Sequence, residues 1–200
     1  MCINFETSIG SFIIGLTSGI ILSFKKDNGS KNMGKFIIFF LLIQLFEAII
    51  YKQKNKQKIY SKMILLNLGY QGFIFFHLMS KSYNVKKIYK TISLLIAIIM
   101  TLYVLKLDDF VKIDKRLSCI DKDGCLTWNF MEDRNLRNLL GLMYFIMFMW
   151  IFTINDDKLF KIGVLLLSTY IFSYYTKNIS NSPSFWCMTS AIISPLFIMI

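Results

Sequence analysis

Seven long apolar runs, separated mostly by short polar connections, constrain this 200-residue chain more than any other feature. Each run is 16 to 18 residues long and would rise about 26 Å as a helix, close to the roughly 30 Å of a bilayer core. The runs are too long for barrel strands and lack their strict alternation. They are Thr7–Phe24, Lys35–Tyr51, Met63–Met79, Ile88–Leu105, Leu139–Ile154, Leu159–Tyr175 and Ser184–Ile200. The pattern predicts an all-α polytopic membrane protein, in which residues 1–200 form one domain of seven transmembrane helices.

Composition and charge indicate the partners of such a chain. Charged residues make up 18% of it, whereas a soluble domain has about a quarter. The net charge is +11, and most lysines flank the apolar runs, as in Tyr51–Lys58. Basic loops in this position meet anionic lipid headgroups. We therefore expect the lipid bilayer as the main partner, with anionic lipids at the lysine-rich loops, and no nucleic acid.

Loop lengths and loop charges predict the topology. The one long connection, residues 106–137, alternates acidic and basic side chains and is predicted to be an extramembrane loop between helices four and five. More short-loop lysines lie on the side opposite the N-terminus, which favours a lumenal or extracellular N-terminus and a cytosolic C-terminus. The short runs favour a thin membrane, such as one derived from the endoplasmic reticulum.

Four cysteines fall on one side of the membrane in this topology. An oxidising, lumenal side would pair them, and the candidate disulfides are Cys119 with Cys125 and Cys2 with Cys187. The alternative is four unpaired thiols, some of them buried as small apolar side chains.

Polar side chains inside the runs are the candidate functional residues. Glu47 and Gln44 share one face of the second run, and Asn67 and Gln71 share one face of the third. A charge at the bilayer centre costs about 2.5–3.5 kcal/mol on insertion scales, so each such residue needs a reason. One hypothesis is that these four residues cluster between adjacent helices and form a polar pathway or substrate pocket, with Glu47 as proton or cation acceptor. The other is that these groups join helices by hydrogen bonds. Glu6 either faces a similar cavity or favours the positive start of its helix.

Other patterns have structural explanations or exclude function classes. Aromatic residues near run ends, including Tyr144 and Trp150, are typical of interfacial belts. Ser11, Gly15 and Gly19 have the spacing of close helix packing. The last run has no lysine for a retinal Schiff base, and one histidine is too few for a zinc hydrolase. No metal site, cofactor or catalytic residue is predicted, and an enzyme has the least support.

Several motifs resemble an uncharacterised family of multi-pass membrane proteins, found in giant DNA viruses and in some protists and bacteria. Members begin Met-Cys-x-Ser-x-Glu-x-Ser, which this chain follows at Met1, Cys2, Glu6 and Ser8 but not at Asn4. Its later segments 44–47 (QLFE), 125–128 (CLTW) and 185–187 (FWC) are similar to further family motifs. The resemblance implies six or seven spans and a possible viral origin, with no known activity.

Two functions stay open from the sequence. The first is binding or transport of a small solute or lipid, otherwise unidentified, through a polar cavity near Glu47. The second is a structural or scaffold role in a viral or organellar membrane.

Overall fold

The computed structural model describes residues 4–53, 57–106, 118–120, 126–128, 133–176 and 182–199. Helices dominate them, and one antiparallel pair of three-residue strands joins Ser118 to Trp128 in register. The elements in chain order are α1 (Phe5–Ser23), α2 (Asn28–Lys52), α3 (Gln57–Met79), α4 (Lys87–Lys106), β1 (Ser118–Ile120), β2 (Leu126–Trp128), α5 (Arg134–Thr153), α6 (Asp157–Thr176), α7 (Ser182–Ile193) and α8 (Leu196–Met199).

Side-chain caps set where several helices begin. Asn4 accepts a hydrogen bond from the Thr7 amide at 2.9 Å, and the Thr7 hydroxyl accepts one from the Asn4 amide, which completes a capping box. The Asp27 carboxylate accepts from the Ser30 amide at the start of α2, and the Asp133 carboxylate accepts from the Asn135 and Leu136 amides at the start of α5. Each cap satisfies backbone donors that have no partner inside the helix.

The centre of the bundle is α2, which packs against α1, α3 and α7. The contact between α1 and α2 depends on glycine: a Cβ added at Gly34 would lie 2.6 Å from the Gly19 carbonyl oxygen. The predicted small-residue stripe of α1 does face α2, with Ser11, Gly15 and Gly19 all buried there. Further out, α3 contacts α4 and α5, while α6 lies between α5 and α7.

Trp150 belongs to the core and not to an interfacial belt, contrary to the sequence prediction. Its ring packs edge-to-face on Phe75 and Phe76, with centroids 5.5 and 5.8 Å away, and it is 4% exposed. The run-end position suggested an interface, but three neighbouring aromatic rings enclose the indole once α3 and α5 meet.

Four of the described helices are long and apolar enough to cross a membrane: α1, α2, α4 and α5. Many of their large apolar side chains are exposed, notably on α4, where lipid would cover them. Helices α3 and α6 are 23 and 20 residues long but carry more polar residues, including Asn67 and Gln71. The chain is thus consistent with an integral membrane protein.

The seventh predicted span is not one continuous helix in the structure. Helix α7 has 12 residues, a turn follows at Ser194–Pro195, and α8 has four residues. Proline cannot donate the backbone hydrogen bond that would continue a helix, which explains the break. Twelve residues rise about 18 Å, so α7 alone falls short of a bilayer core.

The long loop between α4 and α5 contributes the β1–β2 hairpin, which packs against α3 and α7. Its other residues, 107–117, 121–125 and 129–132, lie outside the described part of the chain. The prediction that residues 106–137 lie outside the membrane is therefore not tested by these contacts.

Candidate functional site

Three buried polar side chains connect α1 to α2. The Ser11 hydroxyl donates to Gln44 Oε1 at 2.9 Å, and Gln44 Nε2 donates to Glu47 Oε2 at 2.8 Å. Gln44 and Glu47 have no exposed surface, and Ser11 is 2% exposed. We call this set, Ser11, Gln44 and Glu47, the Glu47 network. It places an acidic group and its amide partner inside α2, one of the helices apolar enough to cross a membrane.

A second polar chain connects α2, α3 and α5. Tyr144 donates its hydroxyl proton to Gln71 Oε1 at 2.5 Å, and Gln71 Nε2 donates to Asn67 Oδ1 at 3.0 Å. Asn67 Nδ2 in turn donates to the Phe39 carbonyl oxygen of α2 at 3.0 Å. We call Asn67, Gln71 and Tyr144 the Gln71 chain. Tyr144 was expected at the membrane surface, but its hydroxyl points inward to this amide.

The four predicted intramembrane residues thus form two hydrogen-bonded pairs, one on each helix. Cys187 of α7 is also fully buried in the bundle. Polar side chains inside the bundle therefore come from α1, α2, α3, α5 and α7.

Two hydroxyl groups beside the Glu47 network are buried without a hydrogen-bond partner: Ser8 Oγ and Ser61 Oγ. Ser8 lies one turn from Ser11 on α1, on the side toward Glu47, because α1 and α2 run antiparallel. Ser61 lies at the same height on α3, since its neighbour Tyr60 stacks on Phe46. A buried unsatisfied polar group costs about 1–3 kcal/mol. A further polar partner near Glu47 would remove this cost.

Glu47 lines none of three cavities that are formed by described residues alone. The interior cavity, of about 40 Å³, is apolar; Phe36, Phe75 and Met147 line it, and Tyr144 of the Gln71 chain reaches its wall. An open apolar groove on the α2–α3 surface contains Asn67 and Tyr70. The third is the vestibule, a polar cavity of about 440 Å³ where the α1–α2, α3–α4 and α5–α6 connections meet.

Hydrogen bonds and charges fix the polar side chains of the vestibule. Tyr83 donates to Asp156 Oδ2 at 3.0 Å, and burial together with this carboxylate raises the pKa of Tyr83 well above its usual value. Partial burial opposes ionisation of Asp27. The Ser30 amide and hydroxyl, with Lys158 and Lys25, outweigh it and lower the Asp27 pKa.

The remaining predicted residues lie apart from these sets or outside the described residues. Glu6 is exposed in the first turn of α1, where its charge suits the start of a helix. Cys187 is a free thiol, so its predicted disulfide with Cys2 is unsupported. Cys2, Cys125 and the Cys119 side chain are outside the described part, so the Cys119–Cys125 disulfide stays a prediction.

Sequence reasoning missed Ser8, Ser61 and Tyr144, whereas the free, buried thiol of Cys187 agrees with the alternative of unpaired cysteines. Ser8 precedes Ser11 by one helical turn on the face of α1 that also carries Gly15, so its inward position could be predicted from the spacing. Tyr144 and Ser61 carried no comparable signal. Within the described ranges, no three His, Cys, Asp or Glu side chains are grouped closely enough to hold a metal ion.

Comparison with known proteins adds no identity. No protein-family model matches the chain, and neither a curated protein nor a solved structure does.

Proposed function

We propose that the chain is a multi-pass integral membrane protein that binds and moves a small solute through the region around Glu47. The proposal includes seven crossings, with α7 and α8 together making the last one. The N-terminus is lumenal or extracellular and the C-terminus cytosolic. The motif resemblance supports a viral membrane as its location, and the short apolar runs support a thin membrane such as one derived from the endoplasmic reticulum.

The observation that carries the proposal is the pair of unsatisfied hydroxyls beside a buried acid. Ser8 on α1 and Ser61 on α3 lie level with Glu47 along the axis of the bundle, on the two helices next to α2. A purely structural polar set satisfies its own groups, because each orphan is costly. Here a water, a proton-carrying chain of waters or a polar solute would satisfy them. Glu47 is the group that can accept a proton or a cation.

Proton flux into proteoliposomes containing the purified protein tests this function. A pH-sensitive dye inside the vesicles reports protons driven by a potassium-diffusion potential. We expect a flux above that of protein-free vesicles, and Glu47→Gln should abolish it because the amide cannot take up a proton. Glu6→Gln is the matched control, since Glu6 is an exposed carboxylate on the neighbouring helix, and it should leave the flux unchanged. A flux that survives Glu47→Gln would remove Glu47 from the proposal.

A scaffold function is the second candidate, and one observation favours it. Glu47 lines none of the three described cavities, and its network bridges α1 and α2. In that case Glu47→Gln would change the unfolding temperature in detergent, and the wild-type protein would show no proton flux. The two measurements together therefore separate the candidates.

A further inference from the structure

The vestibule lies far along the bundle from Glu47, at the opposite end of α2. Its rim comes from three connections that join consecutive helices, and the residues of the rim that carry charge are Asp27, Lys81, Asp156 and Lys158. Rims at the ends of membrane helices lie at the height of lipid headgroups.

The two lysines of the rim have no partner among the described residues. Neither Lys81 nor Lys158 forms a side-chain hydrogen bond or ion pair there, and both are exposed. By contrast, Lys161, one turn from Lys158, pairs with Asp157 at 2.6 Å. The charge of Lys158 acts on Asp27 of the same rim, but neither ammonium group is held in a hydrogen bond or ion pair, so both can contact an anionic group such as a phosphate.

The two carboxylates of the rim keep acceptor capacity beyond their internal bonds. Asp27 accepts from the Ser30 amide at 2.7 Å, and Asp156 accepts from the Leu159 amide and from Tyr83. A carboxylate has about four acceptor sites, so each can take a further donor. Two positive and two negative side chains on one rim match a ligand that carries both signs.

The floor of the vestibule is apolar and buried. Met33 and Phe197, at 2% and 3% exposed, line both this floor and the interior cavity. Leu22, Leu159 and Ile162 complete the floor. A charged rim over an apolar floor fits an amphiphile whose polar end has both charges and whose first apolar carbons contact the floor.

We propose that the vestibule binds the headgroup of a zwitterionic phospholipid, with the phosphate at Lys81 and Lys158 and the ammonium group at Asp27 and Asp156. An anionic phospholipid would bring a net negative charge next to the two carboxylates without an ammonium to offset them. The site goes beyond the proposed function, because it shares no residue with the Glu47 network.

Native mass spectrometry of the full chain in a non-ionic detergent tests the site. Phosphatidylethanolamine and phosphatidylglycerol with identical acyl chains are titrated separately. We expect tighter binding of phosphatidylethanolamine. The double variant Lys81→Ala/Lys158→Ala should weaken it about tenfold, since it removes two solvent-exposed ion pairs with the phosphate. Lys161→Ala is the matched control on the same helix and should have wild-type affinity.

Three results would overturn the assignment. The first is equal or tighter binding of phosphatidylglycerol, and the second is wild-type affinity in the double lysine variant. The third concerns the source of the headgroup: soluble phosphoethanolamine should compete at least tenfold less well than the lipid, and equal competition would make the ligand a free zwitterion. Glu47→Gln should leave lipid affinity unchanged, so this proposal and the proton-flux proposal can fail separately.

Discussion

The Glu47 network and the vestibule solve the same problem, polar groups in an apolar protein, in opposite ways. In the network the two described hydrogen bonds measure 2.9 and 2.8 Å, and no side chain is more than 2% exposed. In the vestibule two lysines face water with no described partner, around a cavity of about 440 Å³.

The difference follows from the dielectric environment. Inside the bundle an unpaired polar atom loses most of its solvation energy, so the protein pairs such groups wherever it can. At the bundle end, water and headgroups solvate charges and leave them free for ligands. The two orphan hydroxyls beside Glu47 are therefore more informative than the two uncommitted lysines.

Gly34→Ala should have the largest effect on stability, because close packing of α1 on α2 encloses the Glu47 network. The new Cβ would meet backbone atoms of Gly19 and Ser23 at 2.6 Å, and backbone cannot rotate away. We expect a loss of about 3 kcal/mol, the upper end of overpacking costs, measured by thermal unfolding in detergent. Gly141→Ala is the control: nothing lies within 4 Å of its Cβ, so it should stabilise α5 slightly. Equal unfolding temperatures for the two variants would contradict a tight α1–α2 contact.

Gln44→Leu compares the two regions directly. It removes the acceptor of Ser11 and the donor to Glu47, so the unfolding free energy should fall by about 1–3 kcal/mol. Lys158→Ala in the vestibule should stay within about 0.5 kcal/mol of wild type, as surface changes usually do. If both variants lost the same stability, the contrast between a paired interior and an uncommitted rim would be wrong.

Asp27→Ala should cost about 1 kcal/mol at neutral pH, because it removes the N-cap of α2. Asp27→Asn keeps a side-chain oxygen that can accept the capping hydrogen bond but removes the negative charge. It therefore measures the effect of the charge alone. Since the folded-state pKa is lowered, the charge stabilises the fold above the unfolded value near 3.9, and this contribution disappears as pH falls through the folded pKa. Unfolding temperatures of wild type and Asp27→Asn should therefore converge below about pH 4. A gap that stays constant down to pH 3 would exclude an electrostatic role.

Tyr83→Phe should have the smallest effect at neutral pH, about 0.5 kcal/mol for one half-exposed hydrogen bond to Asp156. Above about pH 10, where tyrosine ionises in the unfolded chain, the stability difference between wild type and Tyr83→Phe changes with pH. The raised pKa means that the folded protein holds this proton more tightly than the unfolded chain, so the stabilisation is complete below the unfolded pKa and is lost as pH rises. Wild type should thus lose stability more steeply than Tyr83→Phe in alkaline buffer. Parallel curves would show that Tyr83 titrates alike in both states.

Run lengths predicted the helices well, and polar residues within them only in part. Each apolar run coincides with a helix, except that the last run divides into two helices at Pro195. The proline is visible in the sequence, but hydropathy alone does not predict that it breaks the helix. Helical spacing predicted that Gln44 would pair with Glu47 and Asn67 with Gln71. It could not show whether the two pairs meet, because that depends on how α2 and α3 rotate about their axes.

The cysteines and aromatic residues show the same limit. Loop position placed Cys187 beside Cys2 at the membrane surface, and run-end position placed Tyr144 and Trp150 in a belt. Depth along a helix is readable from sequence, but the direction of a side chain around the helix axis also depends on its neighbours. The structure turns all three described side chains toward the core.

The sequence by itself determined a helical chain with membrane-compatible segments, because hydropathy and helix length are local properties that each run carries alone. Only the tertiary structure decided that Ser11 completes the Glu47 network, that Ser8 and Ser61 lack partners, and that three loops enclose a charged vestibule. Those features arise from the packing of helices distant in the chain. Their energies depend on which groups pair and which are excluded from water, and no single segment contains that information.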